Sequence, residues 1–245
     1  MNTVLVIQTQ ALVPIGSLEE PLLEAGLKIV HWQTDRGHAP ESLDGYGGVV
    51  ALGGSANPDQ DDVYPWLAGE RELLAEAVSR GIPTIGLCLG AELLAQVLGA
   101  KVTRLAHPAI GWYEVAFDTR APITPVTAQL AGQSHVFQWH SYAFGLPAGA
   151  RLLAGTSSTA EAFCWNDSAW AFQFHLEADA KIIGDWVAEY TSVLHEHGLD
   201  PAVLLAETAA RTPAHVLQAR AVGRGFATLV RARSRLSTSV ALGPD

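Results

Sequence analysis

A thiol acts as a nucleophile when one group takes its proton and a second group holds that base in place. Cys88 lies within Gly86-Leu87-Cys88-Leu89-Gly90. A short apolar run, Ile82-Pro83-Thr84-Ile85, precedes it; after it, Leu89, Leu93, Leu94, Val97 and Leu98 recur at helical spacing and stop at Gly99. The run reads as a buried strand and the repeat as a helix, so Cys88 is expected on a sharp strand-to-helix elbow. Small residues on both sides let strand and helix approach closely, and such an elbow holds a nucleophile in a strained conformation. The positive end of the helix dipole is expected to lower the thiol pKa. A small buried cysteine on a glycine-rich turn explains the same five residues.

A base and its orienter are offered by His175-Leu176-Glu177, which closes the aromatic run Trp170-Ala171-Phe172-Gln173-Phe174. In an extended chain residues i and i+2 point the same way, so Glu177 is expected beside His175, fixing its tautomer and stabilising the imidazolium. A charged pair otherwise has little reason to end a buried strand. Gly53-Gly54, followed by Ser55-Ala56-Asn57, stands at the carboxyl end of another strand, where open α/β sheets collect their sites. Its backbone N–H groups can face a developing oxyanion; an ordinary glycine turn is the alternative. Asp59, Asp61 and Asp62 read as a solvated loop capping the next helix rather than a cation site. Further ligands at metal-binding spacing are not seen.

The elements that must position these residues follow from periodicity. Strands are expected at Thr3 to Ile7, Leu27 to Trp32 and Gly47 to Leu52. Ser17-Leu18-Glu19-Glu20 has capping-box spacing and starts a helix reaching Ala25-Gly26. A second helix spans Pro65 to Arg80. This opening suggests a doubly wound sheet. After Gly99 the chain turns β-rich, with short strands at 102–104, 111–117, 135–139, 151–154, 161–165 and 169–174. A helix is expected from Ala178 to about His195, and the tail from Asp200 is helical, with Val222, Phe226, Leu229 and Val230 on one face. Its arginines (Arg220, Arg224, Arg231, Arg233, Arg235) read as a solvated face, and Ser237 to Asp245 as a frayed end.

With 245 residues, 49% hydrophobic and 16% charged, the chain suits one large α/β domain with a short appendage. A net charge of −10 argues against nucleic acid or an anionic membrane surface as main partner. Two cysteines, Cys88 and Cys164, make no disulfide framework, which points to a reducing compartment. The N-terminus enters a strand at once without a signal-peptide pattern, and no apolar run is long enough to span a bilayer. A cytoplasmic location is expected.

Together, the Gly53-Gly54 loop, the Gly86-to-Gly90 elbow and the Phe172-Gln173-Phe174-His175-Leu176-Glu177 ending resemble the class I, triad-type glutamine amidotransferases. The chain is most similar to stand-alone members akin to the amidotransferase domain of GMP synthase. Asp61-Asp62-Val63-Tyr64-Pro65-Trp66, Ile110-Gly111-Trp112-Tyr113-Glu114-Val115 and Trp139-His140-Ser141-Tyr142 add to the likeness, which runs from about Val4 to Tyr190. The resemblance implies an open, mostly parallel sheet flanked by helices, flavodoxin-like, with a β-rich second half and a helical tail. It divides the chain into an amidotransferase domain, 1–196, and a helical extension, 197–245. It implies that Cys88 attacks the glutamine side-chain amide and forms a thioester, that His175 relays the proton, and that Glu177 orients His175. The N–H groups of Gly54 and Leu89 would hold the oxyanion, and Gly53, Glu92, Ser141 and Tyr142 the substrate. No cofactor or metal is implied.

Many relatives carry His-Gln after the elbow glycine, where this chain has Ala91-Glu92. Glu92 either pairs with an α-ammonium group or another γ-glutamyl compound, or is a first-turn glutamate favoured by the helix dipole. Ser55 replaces a common proline. His140 is expected to pack or to rim the substrate, Cys164 to sit in the core, and His31 and His107 have no nameable partners. Only 68 residues follow Glu177, so a separate ammonia-accepting synthetase is expected. Family members often show little activity until such a partner docks. A γ-glutamyl hydrolase or peptidase using the same three residues, and a non-catalytic regulatory subunit, are the competing readings.

Overall fold

Runs of Val, Ile, Leu and Ala buried on both faces form the middle of the sheet, as parallel strands covered by helices require. The computed structural model describes residues 2–37, 39–121, 123–130 and 132–241, with side chains up to residue 235. Strand β1 (Thr3–Gln8) pairs in parallel with β2 (Lys28–Gln33) and with β3 (Gly48–Ala51). Beyond β3 lie β4 (Thr84–Leu87) and then β9 (Ala169–Phe172), again parallel. The order β2-β1-β3-β4-β9 is the flavodoxin-like one.

The second half differs from the expected open, mostly parallel sheet. Strands β5 (Val102–Phe117), β6 (Gly132–Phe144), β7 (Arg151–Gly155) and β8 (Ala160–Trp165) continue the same sheet with antiparallel pairing throughout. They also close on themselves: Phe144 of β6 meets Ala160 of β8, and Phe117 of β5 meets Ala154 of β7. The two short strands expected at 102–104 and 111–117 are one strand, joined across a register shift between Arg104 and Ala109. A bulge of this kind bends a long ribbon and increases its twist, which brings the outer strands together.

Helices cover both faces. On one, α2 (Trp66–Ser79) and α3 (Leu89–Val97) bury Leu67, Leu74, Leu93 and Leu94. On the other lie a 3-10 turn (Gly16–Leu18), α1 (Glu19–Glu24), α4 (Ala180–Glu189), α5 (Thr191–Glu196) and α6 (Pro201–Ala241). There Leu22, Ile183, Trp186, Val222, Phe226 and Val230 share one core cluster.

Local expectations shift in four places. Ser17 is no cap: Leu18 holds the cap position of α1 without a side-chain bond, and the Ser17 N–H donates to the Glu177 carbonyl at 2.9 Å. The helix expected from Ala178 breaks at Tyr190 into α4 and α5, with Asp179 accepting from Ile182 N–H at 2.8 Å as the N-cap. Strand β9 stops at Phe172, two residues before the expected end. The tail expected to fray at 237–245 is helical to Ala241, and residues 242–245 lie outside those described.

Candidate active site

The elbow is built by close approach. Cys88 joins β4 to α3 at φ 50° and ψ −111°, a left-handed conformation that costs a non-glycine residue about 1–3 kcal/mol. Two hydrogen bonds hold it: its N–H donates to the Phe172 carbonyl at 2.9 Å, and its carbonyl accepts from Glu92 N–H at 2.9 Å. The flanking glycines are a matter of space. A Cβ on Gly86 would stand 2.6 Å from the Gly90 carbonyl oxygen, and a Cβ on Gly90 would run into the Ala51 carbonyl of β3.

His175 and Glu177 do not lie in the strand. They follow β9 in a turn, and the turn rather than strand alternation brings them together. His175 Nδ1 is 2.7 Å from Glu177 Oε1, with both side chains buried. An ionised carboxylate only accepts, so this bond places the proton on Nδ1 and leaves the other ring nitrogen for the thiol. The Cys88 and His175 side chains are close enough for each to shift the ionisation of the other. A Cβ on Gly53 would stand 2.9 Å from His175 Cε1 and 3.2 Å from Cys88 Cβ, so the Gly53 backbone backs both groups. The Trp186 ring packs edge-on to His175, centroids 4.7 Å apart, and the Cys88 thiol points toward the Trp139 carbonyl at 3.7 Å.

Burial pushes the Cys88 thiol above its ordinary value and is opposed by the His175 charge. The lowered pKa expected from the helix dipole is therefore not found, because desolvation of the thiolate is the larger effect. His175 moves well above 6.5: burial alone would lower it, but Glu177 and Cys88 outweigh burial. The two shifts act on one pair: Glu177 makes the imidazole more basic, and the His175 charge opposes the rise of the thiol.

A cavity of about 210 Å³ opens over Cys88 and His175. Gly54, Leu89, Glu92, Ser141 and Tyr142 all line it, whereas Gly53 is not among its lining residues. Glu92 is 3% exposed, accepts from Gln173 Nε2 at 2.9 Å, and is raised by burial to about 7. His140 also borders the cavity. Its ring nitrogens lie 2.6 Å from the Tyr142 carbonyl oxygen and 2.8 Å from Gln138 Oε1, and burial lowers its pKa to about 4. The Asp59 carboxylate accepts from Tyr142 Oη at 3.0 Å and Asp61 pairs with Arg71, so this acidic loop pins the cavity rim instead of capping α2. Cys164 is buried away from the cavity on β8, paired with Arg151 of β7 and Trp170 of β9, and is raised to about 12 mainly by burial. His31 and His107 are exposed. Among the described residues no group of three or more His, Cys, Asp or Glu is placed to hold a metal ion.

Sequence reasoning missed Thr9, Trp186 and His215. Thr9 Oγ1 donates to the Gly53 carbonyl at 2.6 Å and fixes the glycine loop. His215 Nε2 donates to the His175 carbonyl at 3.0 Å. None carries a spacing signal: Thr9 meets Gly53 across 44 residues, His215 meets His175 across 40, and Trp186 reaches His175 from α4.

Comparison with known proteins agrees with this architecture. The family Glutamine amidotransferase class-I matches residues 17–188. The glutamine amidotransferase-like protein YfeJ of Salmonella typhimurium is 26% identical over 168 residues, 62% of this chain and 70% of that one. The glutamine-hydrolysing GMP synthase of Marinobacter nauticus is 30% identical over 119 residues, 45% of this chain and 23% of the synthase, so the likeness takes in about a quarter of that enzyme. A crystal structure of a glutamine amidotransferase from Thermotoga maritima superposes with a TM-score of 0.83 at 28% identity, covering 92% of this chain and 97% of that chain. On the extent of the family match, this chain belongs to the class I glutamine amidotransferases.

Proposed function

We propose that the protein hydrolyses the side-chain amide of glutamine through a thioester on Cys88 and supplies the ammonia to a separate acceptor enzyme. The observation that carries this reading is a strained, buried cysteine and an imidazole bonded to a buried carboxylate, which flank the same glycine and line one small cavity. At about 210 Å³ the cavity lies below the roughly 300–1,000 Å³ of drug-sized sites, which suits a substrate the size of one amino acid.

His175 takes the thiol proton as Cys88 sulfur attacks the amide carbon. The carbonyl oxygen becomes an oxyanion, held by the N–H groups of Gly54 and Leu89, a contribution worth about 3–4 kcal/mol of barrier per donor. His175 then gives its proton to the leaving nitrogen, the carbon–nitrogen bond breaks, and ammonia departs from a thioester. Water attacks that thioester with His175 again as base, releasing glutamate and restoring the thiol. Ser141, Tyr142 and Glu92 hold the amino-acid end. Residues 197–245 form an extension to an amidotransferase domain, and the protein works in the cytoplasm; no helix among the described residues is long and apolar enough to cross a membrane.

One observation favours a second reading, a hydrolase of γ-glutamyl amides or peptides. Glu92, in the cavity wall, puts an acid where many relatives have glutamine. Incubation with glutamine, with detection of ammonia and glutamate in equal amounts, tests the first reading, and Cys88→Ala is expected to abolish both products. Release of amine from γ-glutamyl conjugates without turnover of glutamine would support the second.

A further inference from the structure

We infer that His215 is a positioning residue for His175, which makes the C-terminal helix α6 part of the arrangement at Cys88. The inference rests on the reading that Cys88 and His175 act as a pair. His215 lies beyond residues 17–188, the part of the chain that the family match covers.

His175 stands in a turn past the end of β9, so no ladder fixes its main chain. Two long-range bonds do so instead. Its N–H donates to the Phe137 carbonyl of β6 at 2.9 Å, and its carbonyl accepts from His215 Nε2 at 3.0 Å. Among the described residues that carbonyl has one other donor, the Ala178 N–H, at a longer 3.4 Å. A carbonyl can only accept, so His215 carries its proton on Nε2, and burial holds its pKa below the usual histidine range, keeping the ring neutral.

The donor is itself held. The His215 ring, 1% exposed, packs perpendicular to Trp112 of β5 with centroids 5.3 Å apart. The Trp112 indole N–H donates to Thr208 Oγ1, on α6 as well, at 3.0 Å. Ring and indole thus brace each other, and α6 reaches the site from a fixed position. A buried carbonyl that loses its donor must find another or move, and a 1 Å displacement of a reacting group costs far more rate than stability.

The test exploits reach. A glutamine amide nitrogen falls near where His Nε2 sits, whereas an asparagine amide nitrogen falls short, nearer Nδ1. His215→Gln, His215→Asn and His175→Ala are compared with the parent in the full chain. The readouts are the alkylation rate of Cys88 by iodoacetamide, the thermal midpoint, and kcat and KM for glutamine. His215→Gln is expected to stay within about threefold of the parent, and His215→Asn to lose about tenfold in alkylation rate and kcat with KM unchanged, a loss on the scale of one hydrogen bond. Equal losses in both His215 variants, no loss in either, or failure of both to fold would assign His215 to packing and overturn the inference. If His175→Ala alkylates slowly while His215→Asn matches the parent, only this inference fails. If His175→Ala alkylates like the parent, the pairing of Cys88 with His175 fails, and the inference with it.

Discussion

Glu177 keeps one carboxyl oxygen on His175 Nδ1, while the other is buried without a hydrogen-bond partner among the described residues. Its charge therefore acts on the imidazole nearly alone. Glu177→Gln keeps an oxygen that can accept from Nδ1 but removes the charge that stabilises the imidazolium. Steady-state assays should show kcat reduced by on the order of 10²-fold, well short of the loss in Cys88→Ala. The neighbours in sequence were legible because their chemistry is local: Gly86-x-Cys88-x-Gly90 and His175-x-Glu177 each announce a pair of roles within five residues. For the second, a turn and not an extended strand aligns His175 with Glu177. The direction of the Cys88 shift was not legible, because the dipole is local while desolvation depends on what the rest of the chain places overhead. His215 gave no sign for the same reason.

At the scale of elements, the elbow shows why two glycines flank Cys88. Helix propensity alone would favour alanine over glycine at position 90 by about 1 kcal/mol. A Cβ there meets the Ala51 carbonyl, a backbone atom that cannot rotate away. Gly90→Ala should therefore destabilise by roughly 3 kcal/mol or more, read as a lower denaturation midpoint. Helix α2 carries a second stress. Glu70 is fully buried, neither of its oxygens has a hydrogen-bond partner among the described residues, and burial, opposed by Arg71, raises it from 4.5 to about 8. The folded state then keeps a proton that the unfolded chain releases above about pH 4.5. Stability is full below that pH and falls as pH rises toward about 8, by about 1.4 kcal/mol per unit. Denaturant melts at pH 6 and pH 9 should show Glu70→Gln losing less stability over this interval than the parent. Apolar periodicity placed α2 and α3 well, whereas Ser17 failed as a cap because its backbone N–H is drawn to Glu177 instead.

The whole molecule joins two halves of different character at β9 and β8, where parallel pairing gives way to antiparallel. The parallel half was readable from buried apolar runs. The closure of β5 to β8 was not, because single-residue meetings such as Phe117 with Ala154 leave no periodic mark. Helix α6 belongs to the same core as the sheet: Phe226, 1% exposed, packs with Val222 and Val230 against the face that also buries Trp186. Phe226→Ala should cost about 3–5 kcal/mol of global stability, measured by chemical denaturation.

The central claim is that one sulfur, activated by one imidazole, attacks the amide carbon of a glutamine-like substrate. Its most direct measurement is peptide mapping by mass spectrometry after exposure to a diazoketone analogue of glutamine. The account predicts a single adduct on Cys88, none on Cys164, and much slower labelling in His175→Ala. Absence of an adduct on Cys88, or equal labelling of Cys88 with and without His175, would contradict it.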